Sequence, residues 1–320
     1  MAWFFFALIC ALGWGFADLF YKKGTEENDK QSHLKIAVWV GLVMGLCALV
    51  LLLLLRPEMT PVEFFTNILK YLPASLSYII SMVVGYAGLR YLELSIISPI
   101  QNASGALSAI CMIVYFAFIG KIKNFFEEFS VLDIIGSIFI IAGVIALAFV
   151  ENHLSKEEVK VENNDRKYRY GALAIIFPLL YCVFDTIGTA ADGIILDENS
   201  GMNLSEIDVL ILYGLTFFAA GLVCWLYMLI KNKKPYNPFH KSEINKGIAA
   251  CCEEAGQVFY IYAMALNPVL AAPMVASYCI LSVVLSRIFI KEKLRRSQYL
   301  CVVLVILGII ILGISEGLAS

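Results

Sequence analysis

MAWFFFALICALGWGFADLFYKKG, residues 1–24, decides the fold. Seventeen residues pass without a charge, an aspartate stands at position 18, and two lysines close the run at 22 and 23. About 20 apolar residues rising about 1.5 Å each cross the roughly 30 Å of bilayer hydrocarbon, so the run reads as a membrane-spanning helix. It has neither a basic start nor a small-residue cleavage site, and the expectation is a retained helix rather than a signal peptide. An acid inside such a helix needs a partner or a task.

Composition extends this reading to the whole chain. The 320 residues are 60% hydrophobic and 16% charged, where soluble domains run near about 45–50% apolar and about 25% charged. Ten apolar runs follow one another: 2–22, 34–55, 70–90, 95–119, 131–150, 170–193, 207–230, 246–266, 269–290 and 297–315. The fold class expected is an all-α membrane protein with ten transmembrane helices. The longest interior polar stretch, ENHLSKEEVKVENNDRKYRY from Glu151 to Tyr170, reads as a solvated linker. It divides the chain into residues 1–150, a linker at 151–169, and residues 170–320.

The halves resemble each other. GWGFAD sits against LYCVFD, matching Trp14 with Tyr181 and Asp18 with Asp185 at an offset of 167. YAGLRYLELSIISPI sits against YIYAMALNPVLAAPM, matching Tyr86 with Tyr260 and Pro99 with Pro273 at 174. FIIAGVIAL and LVILGIIIL match Gly143 with Gly308 at 165. Five spans per half is an odd number, so the second half must enter the membrane upside down. The expectation is two inverted five-helix repeats, with a solute site between them near the midplane.

Several features together resemble the drug/metabolite transporter superfamily, in its ten-helix EamA-like branch. They are Trp14-Gly15 in the first span, the ten spans, and the turn into the fourth followed by Ser98-Pro99. The turn recurs as Asn267-Pro268 with Ala272-Pro273, trailed by IFIKEKL at 288–294. The resemblance implies a carrier for small organic metabolites, often amino acids, amines or nucleotide-linked compounds.

Loop charge sets an orientation. Connectors after the odd-numbered spans hold twenty Lys and Arg, from Lys22 through Arg166, Lys167 and Arg169 to Lys293, Arg295 and Arg296. The other side holds four: Arg56, Lys70, Lys121 and Lys123. The positive-inside rule then puts both termini outside, whereas the resemblance implies both inside. The expected location is the plasma (inner) membrane, multi-pass.

The intramembrane polar groups are the candidate site. Glu253 and Glu254 are adjacent acids about a dozen Å into the eighth span at about 1.5 Å per residue. Gln257 and Tyr260 follow on that face. Two neighbouring carboxyls in a low dielectric do not both ionise cheaply, which suits proton coupling or attraction of a cation. Tyr181, Asp185, Thr189 and Asp192 share one face of the sixth span, and a polar stripe there must face protein or water. Asp192 reads as solvated at the helix end. Asp18 has Trp14 one turn before it and Lys22 one turn after it, so it faces either a cavity or an interfacial ion pair. Gln101 and Asn102 are the first half's polar candidates, and Tyr86 joins the aromatics able to hold a cation by its ring faces. The stretch aligned with Glu253 and Glu254 holds Ile79 and Ile80, so the acid is concentrated in the second half.

Other classes are disfavoured. The nine cysteines form no CxxC pair, and His33, His153 and His240 lie in polar connectors, so no metal or other cofactor is expected. No Gly-rich nucleotide loop appears, and no basic stripe interleaved with aromatics suggests nucleic acid. The expected function is therefore secondary-active, ATP-independent transport of a small organic metabolite, cationic or zwitterionic, such as an amine or amino acid, proton-coupled and by alternating access. The alternative is an integral membrane enzyme or translocator acting on a lipid or lipid-linked head group. Partners expected are the solute and the bilayer, as monomer or homodimer.

Overall fold

The computed structural model describes residues 2–26, 29–92, 94–161, 176–200, 202, 204–291 and 296–319. Arg166, Lys167, Arg169, Lys293, Arg295 and the linker from 162 to 169 lie outside the described residues. Every regular element among the described residues is helical. In chain order these are α1 (Ala2–Gly24), α2 (Ser32–Leu55), α3 (Pro61–Gly88), α4 (Leu94–Asn102), α5 (Ser104–Phe118), the short α6 (Phe125–Glu128) and α7 (Val131–Val161). The second half holds α8 (Ile176–Ile195), α9 (Glu206–Asn232), α10 (Ile244–Leu266), α11 (Pro268–Ala276), α12 (Tyr278–Leu285) and α13 (Arg296–Ala319).

Eight segments among the described residues are long and apolar enough to cross a membrane, counting α4–α5 and α11–α12 as one each. The apolar part of α7, Val131–Leu147, is shorter. The remaining long helix, α10, carries Lys246, Glu253 and Glu254. Outward faces are leucine-rich, with Leu53, Leu54, Leu69 and Leu300 exposed as lipid contact requires.

Helix starts follow local chemistry. The Thr60 hydroxyl accepts from the Glu63 N–H, with Pro61 at the first helical position of α3. Ser205 does the same for Asp208 at the start of α9. Two spans break in the middle. Asn102 Nδ2 donates to the Ser98 carbonyl at 2.8 Å, and Ser277 Oγ donates to the Met274 carbonyl at 2.6 Å. Side chains thus compete for main-chain acceptors. Pro99 and Pro273 each lack the N–H for the turn before.

Packing is pairwise across the halves. The largest contacts join α2 with α9, α1 with α10, α7 with α13, α3 with α8, and α5 with α11. α1 also meets α11 and α12, and α8 also meets α4 and α5. The α7–α13 pair approaches backbone to backbone. A Cβ added at Gly136 would lie 3.0 Å from the Gly308 carbonyl oxygen, and one at Gly308 would lie 2.7 Å from that of Gly136. Without a hydrophobic force between helices in lipid, such close approach supplies the attraction.

Candidate functional site

One cavity collects most of the polar groups. Its wall includes Trp14, Asp18 and Tyr21 from α1, Tyr78 and Tyr86 from α3, Gln101 from α4, Tyr181 and Asp185 from α8, Tyr213 from α9, Glu253 and Gln257 from α10, and Tyr278 from α12. It leaves about 50 Å³ for the centres of water-sized molecules, room for a few of them at roughly 10–15 Å³ each. No Lys, Arg or His lines it among the described residues.

Three carboxylates meet there from three helices. Asp18 Oδ2 accepts from Ser98 Oγ and from Ser282 Oγ, both at 2.7 Å. Asp185 Oδ2 accepts from Ser104 Oγ at 2.6 Å. Glu253 is buried, and its Oε2 accepts from the Tyr21 hydroxyl and, at 3.1 Å, from the Tyr86 hydroxyl. The Tyr21 and Tyr86 rings lie 4.9 Å apart, which holds this clamp rigid. Trp14 packs on Tyr260 at 5.1 Å and edge-on to Tyr278 at 5.7 Å, while its Nε1 donates to the Glu253 carbonyl. The Gln257 amide nitrogen is buried without a partner among the described residues.

The sequence candidates divide. Trp14, Asp18, Tyr86, Gln101, Tyr181, Asp185, Glu253 and Gln257 share the cavity wall. Tyr260 stands just behind it, with its hydroxyl 2.8 Å from that of Tyr78. Asn102 is buried at the α4–α5 break and bonds Ser98. Glu254, half-buried, turns away from its neighbour towards Cys47 of α2. Adjacent residues on a helix are about 100° apart at about 3.6 residues per turn, so the acid pair cannot share one pocket.

The structure also shows that Asp192 is fully buried, not solvated at the helix end: Tyr78 donates to its Oδ2 at 2.8 Å. Lys22 donates to the carbonyls of Leu89 and Leu92 at 2.8 and 2.7 Å, which anchors α1 to the turn before α4. Sequence reasoning missed Tyr21, Tyr213 and Ser282. Tyr21 was findable, three residues after Asp18 on the same face. Tyr213 was not, because α9 carries no acid between its ends to mark a polar face.

Both ends of the bundle are tied by ion pairs. On the side of the α1–α2 turn, Lys35 meets Asp29 at 2.7 Å, and Lys246, 1% exposed, meets Glu243 at 2.6 Å. Burial pushes the Asp29 carboxyl up, but the bond from the Lys35 ammonium outweighs it and the net shift is downward. On the other side Lys121 meets Asp197 at 2.8 Å and Arg56 meets Asp208 at 3.2 Å.

Comparisons with known proteins bear on this arrangement. Among solved structures 26 chains match. One, described only as "Crystal structure of protein", aligns over 99% of this chain and 99% of its own, at 12% identity and a TM-score of 0.61. That likeness concerns the fold alone. No curated protein matches. Residues 199–314, which bring Tyr213, Glu253, Gln257 and Tyr278 to the cavity, match the EamA-like transporter family, in keeping with the drug/metabolite transporter resemblance read from the sequence.

Proposed function

We propose that the protein is a secondary-active carrier of a small cationic or zwitterionic organic solute. The family match suggests a membrane transporter of the drug/metabolite type. The observation that carries the finer reading is the cavity itself: Asp18, Asp185 and Glu253 converge on a space walled by aromatic rings and free of basic side chains among the described residues. Uncompensated acids favour a bound cation, and ring faces add to its attraction. Gln257, with its unpartnered amide nitrogen, supplies a donor for an acceptor oxygen on the same solute. An amine that also carries a hydroxyl or carboxylate satisfies both.

Alternating access between two inverted five-helix halves is supported by the packing. Exchanging each span for its counterpart five spans away turns the α1–α10 pair into α8–α3, and the contact of α1 with α12 into that of α8 with α5. At the offset of 165, the close approach of Gly136 to Gly308 becomes that of Cys301 to Gly143, where an added Cβ would lie 3.2 Å from the Cys301 carbonyl. The cavity is lined by the ends of α1 and α3 nearest the basic loops. Charge bias assigns the basic loops to the cytoplasm.

The test is flux into vesicles holding the purified protein, with a panel of labelled amines, amino acids and nucleosides and no added nucleotide. Uptake of an amine that is lost in Glu253→Gln supports the reading. Turnover of lipid in place of flux overturns it in favour of an enzyme.

A further inference from the structure

A further buried acid lies beyond the cavity wall. Asp192 sits on α8 seven residues after Asp185, about 10 Å deeper at about 1.5 Å per residue. It is 0% exposed. Its Oδ2 accepts from the Tyr78 hydroxyl, while its Oδ1 is buried with no hydrogen-bond partner among the described residues. The Tyr71 hydroxyl, also buried, likewise has no aligned partner. Tyr78 is the link: it lines the cavity, touches the Tyr260 hydroxyl at 2.8 Å and the Thr189 hydroxyl at 3.3 Å, and bonds Asp192.

Among the described residues, the groups facing Asp192 are all neutral or acidic. Tyr71 and Tyr78 come from α3, Tyr260 from α10, Tyr213 from α9, and Asp185 from its own helix. The adjoining Gly193 meets Met112 of α5, Met264 of α10 and Pro268 of α11, all apolar. The nearby cation Lys121 is engaged by Asp197. An ionised carboxylate taken from water and left without a counter-charge costs several kcal/mol, more than phenol hydroxyls return. A neutral carboxyl needs no cation. Its extra hydrogen also gives the idle Oδ1 a donor to offer.

We propose that Asp192 is a proton-binding site separate from the solute cavity and connected to it through the Tyr78 hydroxyl. In loading, the Tyr78 O–H proton passes to Asp192 Oδ2 as the Tyr78 oxygen takes a proton from a hydronium ion at the cavity wall, leaving water. One proton enters, Tyr78 ends neutral, and the rotated carboxyl presents its O–H towards Tyr71. The carboxylates of the cavity are then left to the solute. This division of labour rests on the carrier reading; the existence of the site does not.

Infrared difference spectra of the full-length protein in lipid, recorded across a pH titration, test the site without a solute. Wild type should show a protonated-carboxyl band that vanishes in Asp192→Asn, persists in Asp185→Asn and shifts in Tyr78→Phe. The asparagine keeps the acceptor for Tyr78 and gains an amide donor for Tyr71, so folding should survive; a wild-type thermal midpoint confirms it. Identical carboxyl bands in wild type and Asp192→Asn overturn the proposal, as does a band that responds to sodium at fixed pH. In vesicles with an imposed pH gradient, Asp192→Asn should exchange an amine across the membrane as wild type does but lose uphill accumulation. Accumulation at the wild-type level overturns the coupling role. Absence of flux in wild type itself sinks the carrier reading, and the infrared result then stands or falls alone.

Discussion

Asp18 and Asp185 are held by serines, whereas Glu253 is held by tyrosines. Each aspartate sits on an unbroken helix and accepts from hydroxyls on broken ones: Ser98 of α4 and Ser282 of α12 for Asp18, Ser104 of α5 for Asp185. Glu253 is clamped by Tyr21 and Tyr86, which belong, like Glu253, to unbroken helices. A serine hydroxyl turns freely and its bond follows the helix that carries it; a phenol is fixed by its packed ring. The difference teaches that the aspartates are tied to the interrupted helices and the glutamate to the continuous ones.

Five substitutions can break or sharpen that contrast. The largest effect is expected from Glu253→Gln, which removes the charge held between the continuous helices and should lower amine uptake about 100-fold, since losing one side of a buried charged contact costs about 2–5 kcal/mol. Full uptake in vesicles would dismiss Glu253 as a binding group. Asp185→Asn should cost about tenfold for a cationic solute and little for a neutral analogue, in line with about 1.4 kcal/mol per tenfold. Equal losses for both solutes would count against recognition by charge. Ser282→Ala and Ser104→Ala should each reduce uptake about fivefold, the equivalent of about 1 kcal/mol for one hydrogen bond. Unequal losses would mean the two aspartates are not equivalent. Smallest of all, Glu254→Gln should alter uptake less than about twofold, because its carboxyl faces Cys47 and not the cavity. A drop matching that of Glu253→Gln would restore the two acids as a functional pair.

Much of this molecule could be read from residue order. The helices near both ends, 2–24 and 296–319, announce themselves by hydropathy alone because lipid contact demands apolar side chains along most of their length. Asp18, Asp185 and Glu253 stood out for the opposite reason, as charges where hydrocarbon forbids them. The partition of Glu253 from Glu254 was less visible, since proximity in sequence suggested one site while helical rotation sends them to two neighbours. Asp192 was misjudged because distance from a helix end was taken for exposure, although α3 and α10 cover that end with Tyr71, Tyr78 and Tyr260. The breaks at Ala103 and Ser277 depend on which side chain captures which carbonyl, and hydropathy does not encode that choice.

The two interruptions meet at one spot. A side chain added at Gly105, just past the first break, would come within 2.7 Å of the Ala272 carbonyl oxygen, shortly before the second. Such a contact leaves no room for a side chain where the two broken helices cross. Bulk at that crossing, for instance Gly105→Val, should force the two interrupted helices apart while leaving α7 and α13 fastened as before.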